Sequence, residues 1–274
     1  MKAISYSLFG YNVEKHKDCF DFNSYLRGLA LNIRLARLVY PDWEIVLQVD
    51  ESTNNGLKEL FERLPIKVVV CENAPLTKAM LWRLKPCFDH NYSHVICRDL
   101  DSPLTCREAQ AVQFWINTET KAAHAITDSI SHTIPMLGGM IGFVPKWFGM
   151  KLNTNSWEEL VSRGVYDWSV KGNDQTFLNN TVYPIFAKHN DDSIIQHYVL
   201  GMPNTFLSGY YNHIQNIEIP NVPQELNESN DVCGHIGAAG WYETAMFKFL
   251  REYEDRFEDL AKVEKEYKSI FYWA

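Results

Sequence analysis

Asp99-Leu100-Asp101 is the segment whose residue types and spacing most directly suggest chemistry. It follows His94-Val95-Ile96-Cys97, a β-type run, so both carboxylates stand where a strand breaks into a loop. Ligands of open α/β sheets bind beyond the carboxyl ends of the strands. Carboxylates one residue apart at such a place can turn towards one ion, and their hard oxygens select Mg²⁺ or Mn²⁺. Such an ion neutralises a diphosphate and stabilises it as a leaving group. A solvated pair of loop acids is the competing reading of the same residues.

Further segments bear on that choice. Leu81-Trp82-Arg83-Leu84-Lys85-Pro86-Cys87-Phe88-Asp89 immediately precedes the acidic strand. Met136-Leu137-Gly138-Gly139-Met140-Ile141-Gly142-Phe143 is a glycine-containing strand, where backbone can approach a ligand closely. Gly172-Asn173-Asp174-Gln175-Thr176-Phe177-Leu178-Asn179 opens a short helix, and Asp174 is also a natural N-terminal cap there. Cys233-Gly234-His235-Ile236-Gly237 sets a histidine between glycines.

In this order the segments resemble the signature of GT-A glycosyltransferases. The likeness is greatest to the retaining family that includes bacterial lipopolysaccharide galactosyltransferases and glycogenin. There a YxRLxxPE-type helix leads into a strand ending in D-x-D. An N-x-G strand, a D-Q-D-x-L-N motif and an H-x-x-G segment follow. This chain has Trp82 for the tyrosine, Cys87 for the glutamate and Thr176 for the second aspartate of the D-Q-D motif. Glycine stands where the N-x-G strand has asparagine, Arg98 precedes the D-x-D, and the lysine after H-x-x-G is replaced by Ala238-Ala239-Gly240-Trp241.

The resemblance implies a set of roles. Asp99 and Asp101 would hold Mn²⁺ or Mg²⁺ with His235 as third ligand, and Leu100 and the Gly237 backbone would lie beside the diphosphate. Arg83 would stabilise the departing nucleoside diphosphate, with Arg98 or Lys248 as further cations. Gly138 and Gly139 would back the donor sugar, which Asp174 and Gln175 would orient while stabilising charge at its anomeric carbon. Phe9, Tyr11 and Asp50, at the ends of the first two strands, would hold base and ribose. Asp128 and His132 follow a strand and are candidates for donor or acceptor contacts. Trp147, Trp168, Tyr210, Tyr211 and Trp241 could stack an acceptor sugar or simply supply core.

The elements that must position these residues are legible in outline. Strands are expected at Ala3–Phe9, Glu44–Val49, Ile66–Cys71 (buried on both sides), His94–Cys97, Ala122–Thr127 and Leu137–Val144. Helices are expected at Asn23–Tyr40, Asn54–Leu64, Leu76–Asp89, Thr105–Asn117, Trp157–Arg163 and Asp174–Asn180. This βαβα alternation implies an α/β fold, a Rossmann-like, mixed and mostly parallel sheet flanked by helices. Tyr183 to Gly240 reads as loops and small strands over a site, and Tyr242–Phe271 as a long amphipathic helix, packed on the body or forming a homodimer seam. The division expected is a catalytic domain over 1–241, with a nucleotide half to about 130 and an acceptor half beyond, then the helix over 242–274.

Composition bounds the rest. The chain has 274 residues, 46% of them hydrophobic, and a formal net charge of −8. That fits a globular protein with no general pull on nucleic acid or anionic membranes. The apolar runs are shorter than a membrane span. The N-terminus reads as a strand rather than a signal peptide, and the cysteines form no CxxC pair, as in a reduced cytoplasmic protein.

The reading is a cytoplasmic, metal-dependent glycosyltransferase. It would use a nucleoside-diphosphate sugar, a UDP-sugar by resemblance, with retention of configuration. The acceptor is a glycan, a protein or a modified base of phage DNA, nucleic acid entering only in that last role. Asp-Leu-Asp-Ser also resembles the nucleophile loop of haloacid-dehalogenase-type phosphatases. That loop normally follows the first strand, and Pro103 stands where it has Thr or Val. A catalytically inactive sugar-nucleotide-binding module is the other alternative. A sugar nucleotidyltransferase would need a Gly-rich, lysine-bearing N-terminal loop, which Gly10-Tyr11-Asn12-Val13 is not.

Overall fold

The computed structural model describes residues 1–11, 22–127, 134–188, 191–199 and 215–219. Strands β1 (Lys2–Leu8), β2 (Trp43–Asp50), β3 (Lys67–Cys71) and β4 (His94–Arg98) run parallel to their neighbours in the order β3-β2-β1-β4. The order reverses at β1, so a topological switch point opens between the carboxyl ends of β1 and β4. Strand β5 (Ala123–Thr127) is joined to β4 through β6 (Met140–Phe143), which is antiparallel to both. A small ribbon, β7 (Ala187–Lys188) with β8 (Asp191–Asp192), precedes β9 (Ile194–Val199) and β10 (Gln215–Ile219). Strands β9 and β10 extend the main sheet in parallel beyond β5, giving eight strands in the order β10-β9-β5-β6-β4-β1-β2-β3. The Tyr183–Gly240 stretch, expected as small strands over a site, thus supplies the sheet's far edge where it is described. Strand β3, expected to be buried on both sides, is the opposite edge, with Lys67 and Val70 exposed. A run of β-branched residues signals a strand but not its place in the sheet.

The strand period of two divides the core. Ala3, Val46, Val95 and Cys97 belong to one buried cluster with Trp82, Leu84, Phe143 and Phe148. Ile4, Tyr6, Leu8, Leu47 and Ile96 belong to another with Leu29, Ile33, Val112 and Trp115. Helices α1 (Phe22–Val39) and α5 (Cys106–Asn117) cover this second face. The expected Asn54–Leu64 helix is two short ones, α2 (Glu51–Gly56) and α3 (Lys58–Phe61). The first face is covered by α4 (Leu76–Met80), a 3-10 helix over Leu81–Phe88, α6 (Pro145–Leu152), α7 (Trp157–Val161) and α8 (Asn173–Phe177). A π-helical turn (Leu178–Val182) and α9 (Tyr183–Phe186) complete it.

The 3-10 helix replaces the last turns of the α-helix expected over Leu76–Asp89. Pro86 lies inside it and has no N–H to offer the Arg83 carbonyl three residues back. That carbonyl is taken instead by Ser5 Oγ at 2.7 Å and Cys97 Sγ at 3.3 Å. The backbone of Arg83 is therefore pinned to β1 and β4, the strands that flank the switch point. Among the described residues, no helix is long and apolar enough to cross a membrane. The expected Tyr242–Phe271 helix lies outside the described residues.

Candidate active site

At the carboxyl ends of β1 and β4 an open cleft of roughly 650 Å³ is lined by Ser7, Phe9, Tyr25, Met80, Arg83, Arg98, Asp99, Leu100, Asp101, Gly138, Gly139, Asp174 and Gln175. Many of the residues singled out from the sequence therefore meet in one place. The cleft draws on β1, α1, the 3-10 helix, the loop after β4, the lead into β6, and α8.

Asp99 and Arg98 are neighbours in sequence with opposite surroundings, because successive strand residues point to opposite faces. Asp99 faces the 3-10 helix, where Arg83 Nη1 hydrogen-bonds and ion-pairs with its Oδ1. Asp99 Oδ2 lies against Gly139, where a β-carbon would fall 1.9 Å from that oxygen. At Gly138 a β-carbon would meet the Arg83 guanidinium at an ordinary 3.7 Å. Arg83 Nε is held by the Met80 carbonyl at 2.7 Å. Burial lowers the pKa of this guanidinium, but Asp99, and behind it Asp174, raise it further, so it is a fixed cation.

Arg98 enters the other face and is 3% exposed. Its Nε donates to Glu108 Oε1 at 2.6 Å, and its Nη1 to the Cys97 and Ile141 carbonyls at 2.8 and 2.9 Å. Glu108 also accepts from Tyr40 Oη at 3.0 Å. Arg98 is thus committed through Nε and Nη1, while it also lines the cleft and its buried Nη2 has no hydrogen-bond partner among the described residues. Helix spacing alone did not single out Glu108, since its three-residue offset from Thr105 also reads as a capping box.

Asp101 is half-buried at the mouth of the cleft. Burial and then the charge of Asp99 push its carboxyl up to about 7, against a smaller downward pull from Arg83. Asp174 is 5% exposed, and burial raises its carboxyl while Arg83 pulls it back. It stands in the first turn of α8 behind Gly172, which caps the helix at φ 88°, a left-handed conformation that favours glycine. Asp174 is therefore a helical residue beside Arg83 rather than the N-cap itself.

Asn179 ties two of the motifs together. Its Oδ1 accepts from Met136 N at 2.9 Å and its Nδ2 donates to the Met136 carbonyl at 2.8 Å. This two-way amide–peptide pair fixes the lead into Gly138 and Gly139 against the helix that carries Asp174 and Gln175.

The outer strand ends are arranged differently. Asp50 caps α2 through Thr53 N at 2.7 Å and also accepts from Gly10 N at 2.9 Å and Ser52 Oγ at 3.1 Å. Its carboxylate thus holds the end of β1 to the end of β2. Tyr11 is exposed and packs edge-on against Phe22, whereas Phe9 lines the cleft edge-on to Trp82. Trp147 and Trp168 are partly buried against the first core cluster. Asp128, His132, Tyr210, Tyr211, His235, Gly237, Trp241 and Lys248 lie outside the described residues.

The cleft also holds residues that motif reading missed. Ser7, on β1, has a buried hydroxyl with no hydrogen-bond partner among the described residues. Tyr25 reaches the cleft from α1. At Gly28, three residues on, a β-carbon would fall 1.8 Å from the Leu100 carbonyl, so the helix touches the acidic loop there. The available signal was a glycine on the buried stripe of a helix, which marks a close backbone approach.

No family model matches the chain, and no curated protein matches it in sequence. Its fold is similar to solved structures at low identity. One is a 4-diphosphocytidyl-2C-methyl-D-erythritol synthase from Anaerococcus prevotii, at 11% identity over 91% of this chain and 95% of that one, with a TM-score of 0.43. Another is a cytidylyltransferase from Leptospira borgpetersenii, at 13% identity over 98% and 94%, with a TM-score of 0.45. A third, described as a nucleotide-diphospho-sugar transferase from Desulfovibrio desulfuricans, is 13% identical over 98% and 97%, with a TM-score of 0.43. Likeness at this level carries no argument about what the present chain binds.

Proposed function

We propose that this protein is a sugar-nucleotide-dependent glycosyltransferase of the GT-A type, acting on a UDP-sugar with retention. The observation that supports the reading is the convergence of Asp99, Asp101, Arg83, Gly138, Gly139, Asp174 and Gln175 on one cleft at the strand switch point. Carboxylates, a fixed guanidinium and bare backbone are the groups that a nucleoside-diphosphate sugar needs around its phosphates and its sugar.

The acidic pair fits a divalent cation. Burial and then the nearby charge of Asp99 raise Asp101 to about 7, and a bound cation would offset both. Among the described residues no group of three or more His, Cys, Asp or Glu is placed to hold a metal ion. Asp99 and Asp101 would therefore share the cation with the diphosphate and with His235, the ligand implied by resemblance. Bound there, Mn²⁺ or Mg²⁺ would neutralise the leaving diphosphate.

The chain's own residues do the rest. Arg83 is held at its backbone and at Nε, so its charge needs no reorganisation when the leaving group departs. Gly138 and Gly139 let the strand lead lie against the sugar. Asp174 and Gln175 orient that sugar, and the Asp174 carboxylate stabilises positive charge at the anomeric carbon.

The deciding experiment is a thermal-shift screen of nucleotide sugars with and without Mn²⁺. A ligand that binds only the native state raises the melting temperature with its occupancy. A rise with a UDP-sugar that requires the metal is expected. No shift with any nucleotide sugar would overturn the reading, and a response to CTP alone would point to nucleotidyl transfer.

A further inference from the structure

We infer that Asn32 is the positioning residue that aims the two carboxylates of the acidic loop. The inference rests on the loop being the metal- and diphosphate-binding segment proposed above. Asn32 lies in the interior of α1, is 1% exposed, and forms side-chain hydrogen bonds with the loop at three backbone atoms. Its Nδ2 donates to the Leu100 carbonyl at 3.1 Å and the Ser102 carbonyl at 2.9 Å, and its Oδ1 accepts from Leu104 N at 2.9 Å. The three bonds bracket Asp101 and use both functions of the amide.

Asparagine is a poor choice for a helix interior, because its side chain competes for nearby backbone. Here it spends that capacity on another segment. The loop belongs to neither sheet nor helix, so its peptide groups need partners from elsewhere once buried. Tyr25, Gly28 and Asn32 recur at three and four residues, one stripe of the helix. Tyr25 lines the cleft, Gly28 meets the Leu100 backbone, and Asn32 fastens the same backbone one turn on. The acidic loop thus has its direction set by α1 on the second face, while Arg83 engages Asp99 from the first.

The test compares Asn32→Leu, which keeps the volume and loses the hydrogen bonds, with Ala36→Gly, a buried destabilising change one turn further along α1. Calorimetric titration with UDP in the presence of Mn²⁺ reads affinity, and amide exchange over residues 100–104 reads the loop. Asn32→Leu is expected to weaken Mn²⁺–UDP binding by more than about tenfold and to speed exchange across the loop, while Ala36→Gly leaves both near wild type. Wild-type affinity and exchange in Asn32→Leu, or equal losses in Ala36→Gly, would overturn the inference. If the wild-type protein binds no UDP with Mn²⁺, the functional reading fails by itself. The exchange comparison then decides whether Asn32 positions the loop.

Discussion

The two faces of the sheet carry comparable polar groups at the end of β4 and treat them in opposite ways. On the α1 and α5 face, Arg98 and Glu108 are 3% and 2% exposed and answer one another, with Tyr40 as an added donor. On the 3-10 helix face, Asp99, Asp101 and Asp174 gather around Arg83, and the side chain of Asp99 is 40% exposed. The α1 and α5 face balances its charges within the chain. The 3-10 helix face leaves an acidic excess beside open space. Uncompensated charge in a cleft is costly to the folded protein and is retained where a ligand completes it.

The contrast separates stability from binding, and substitutions should separate them too. The largest expected effect is Glu108→Ala, which strands Arg98 in the core. Loss of one partner of a buried ion pair costs about 3–5 kcal/mol, to be read as a lowered denaturation midpoint. Asp101→Ala should do the reverse. It should cut metal-stimulated turnover of the correct sugar nucleotide by roughly a hundredfold or more, about 2.7 kcal/mol, and yet not destabilise the metal-free fold above pH 7. The carboxyl of Asp101 is raised to about 7, so its ionised form penalises folding progressively from about pH 4 to 7 and fully above that. The variant's stability advantage should therefore be present at pH 8 and absent below about pH 4. Unchanged turnover would sink the role given to the acidic pair.

The α1 and α5 face also predicts a pH response, of opposite sense. Burial holds His197 down to about 4, beside His124, whose ring nitrogens have no hydrogen-bond partner among the described residues and which stacks on Trp115. A histidine kept neutral in the fold stabilises fully above its unfolded value, and that contribution is lost as pH falls towards the folded one. His197→Phe should reduce the stability difference between pH 7.5 and pH 5 by about 2 kcal/mol, measured by denaturant titration at both pH values. The smallest effect concerns neighbouring glycines. Gly139→Ala should weaken nucleotide-sugar binding about tenfold, or 1.4 kcal/mol, since its methyl meets Asp99. Gly138→Ala, with ordinary contact distances, should bind almost as the wild type does.

Much of the framework was legible in the sequence, and the reasons differ by region. The strands through β6 and helices α1 and α5 were marked by apolar periodicity and turn residues, which are local signals. Helix α6 was missed, because Pro145–Leu152 has Gly149 and little amphipathic contrast. The edge position of β3 and the addition of β9 and β10 to the sheet are matters of pairing, which no local pattern encodes. In the cleft, the motifs marked Arg83, Asp99, Asp101, Gly138, Gly139, Asp174 and Gln175, since each lies in a recognisable run. Asn32, Gly28 and Ser7 went unmarked because a lone Asn, Gly or Ser takes its role from what packs opposite it.

The sequence by itself determined that acidic residues follow a strand and that an α/β alternation surrounds them, because strand and helix periods are written in neighbouring residues. Only the tertiary structure decided that Arg98 pairs with Glu108 of α5 and that Arg83 pairs with Asp99 in the cleft. It also decided that Asp50 is spent on a helix cap and a strand end. Each depends on which face of the sheet a side chain takes and which distant segment covers that face. The sheet sets the first by alternation and packing sets the second, and neither exists until the chain has folded.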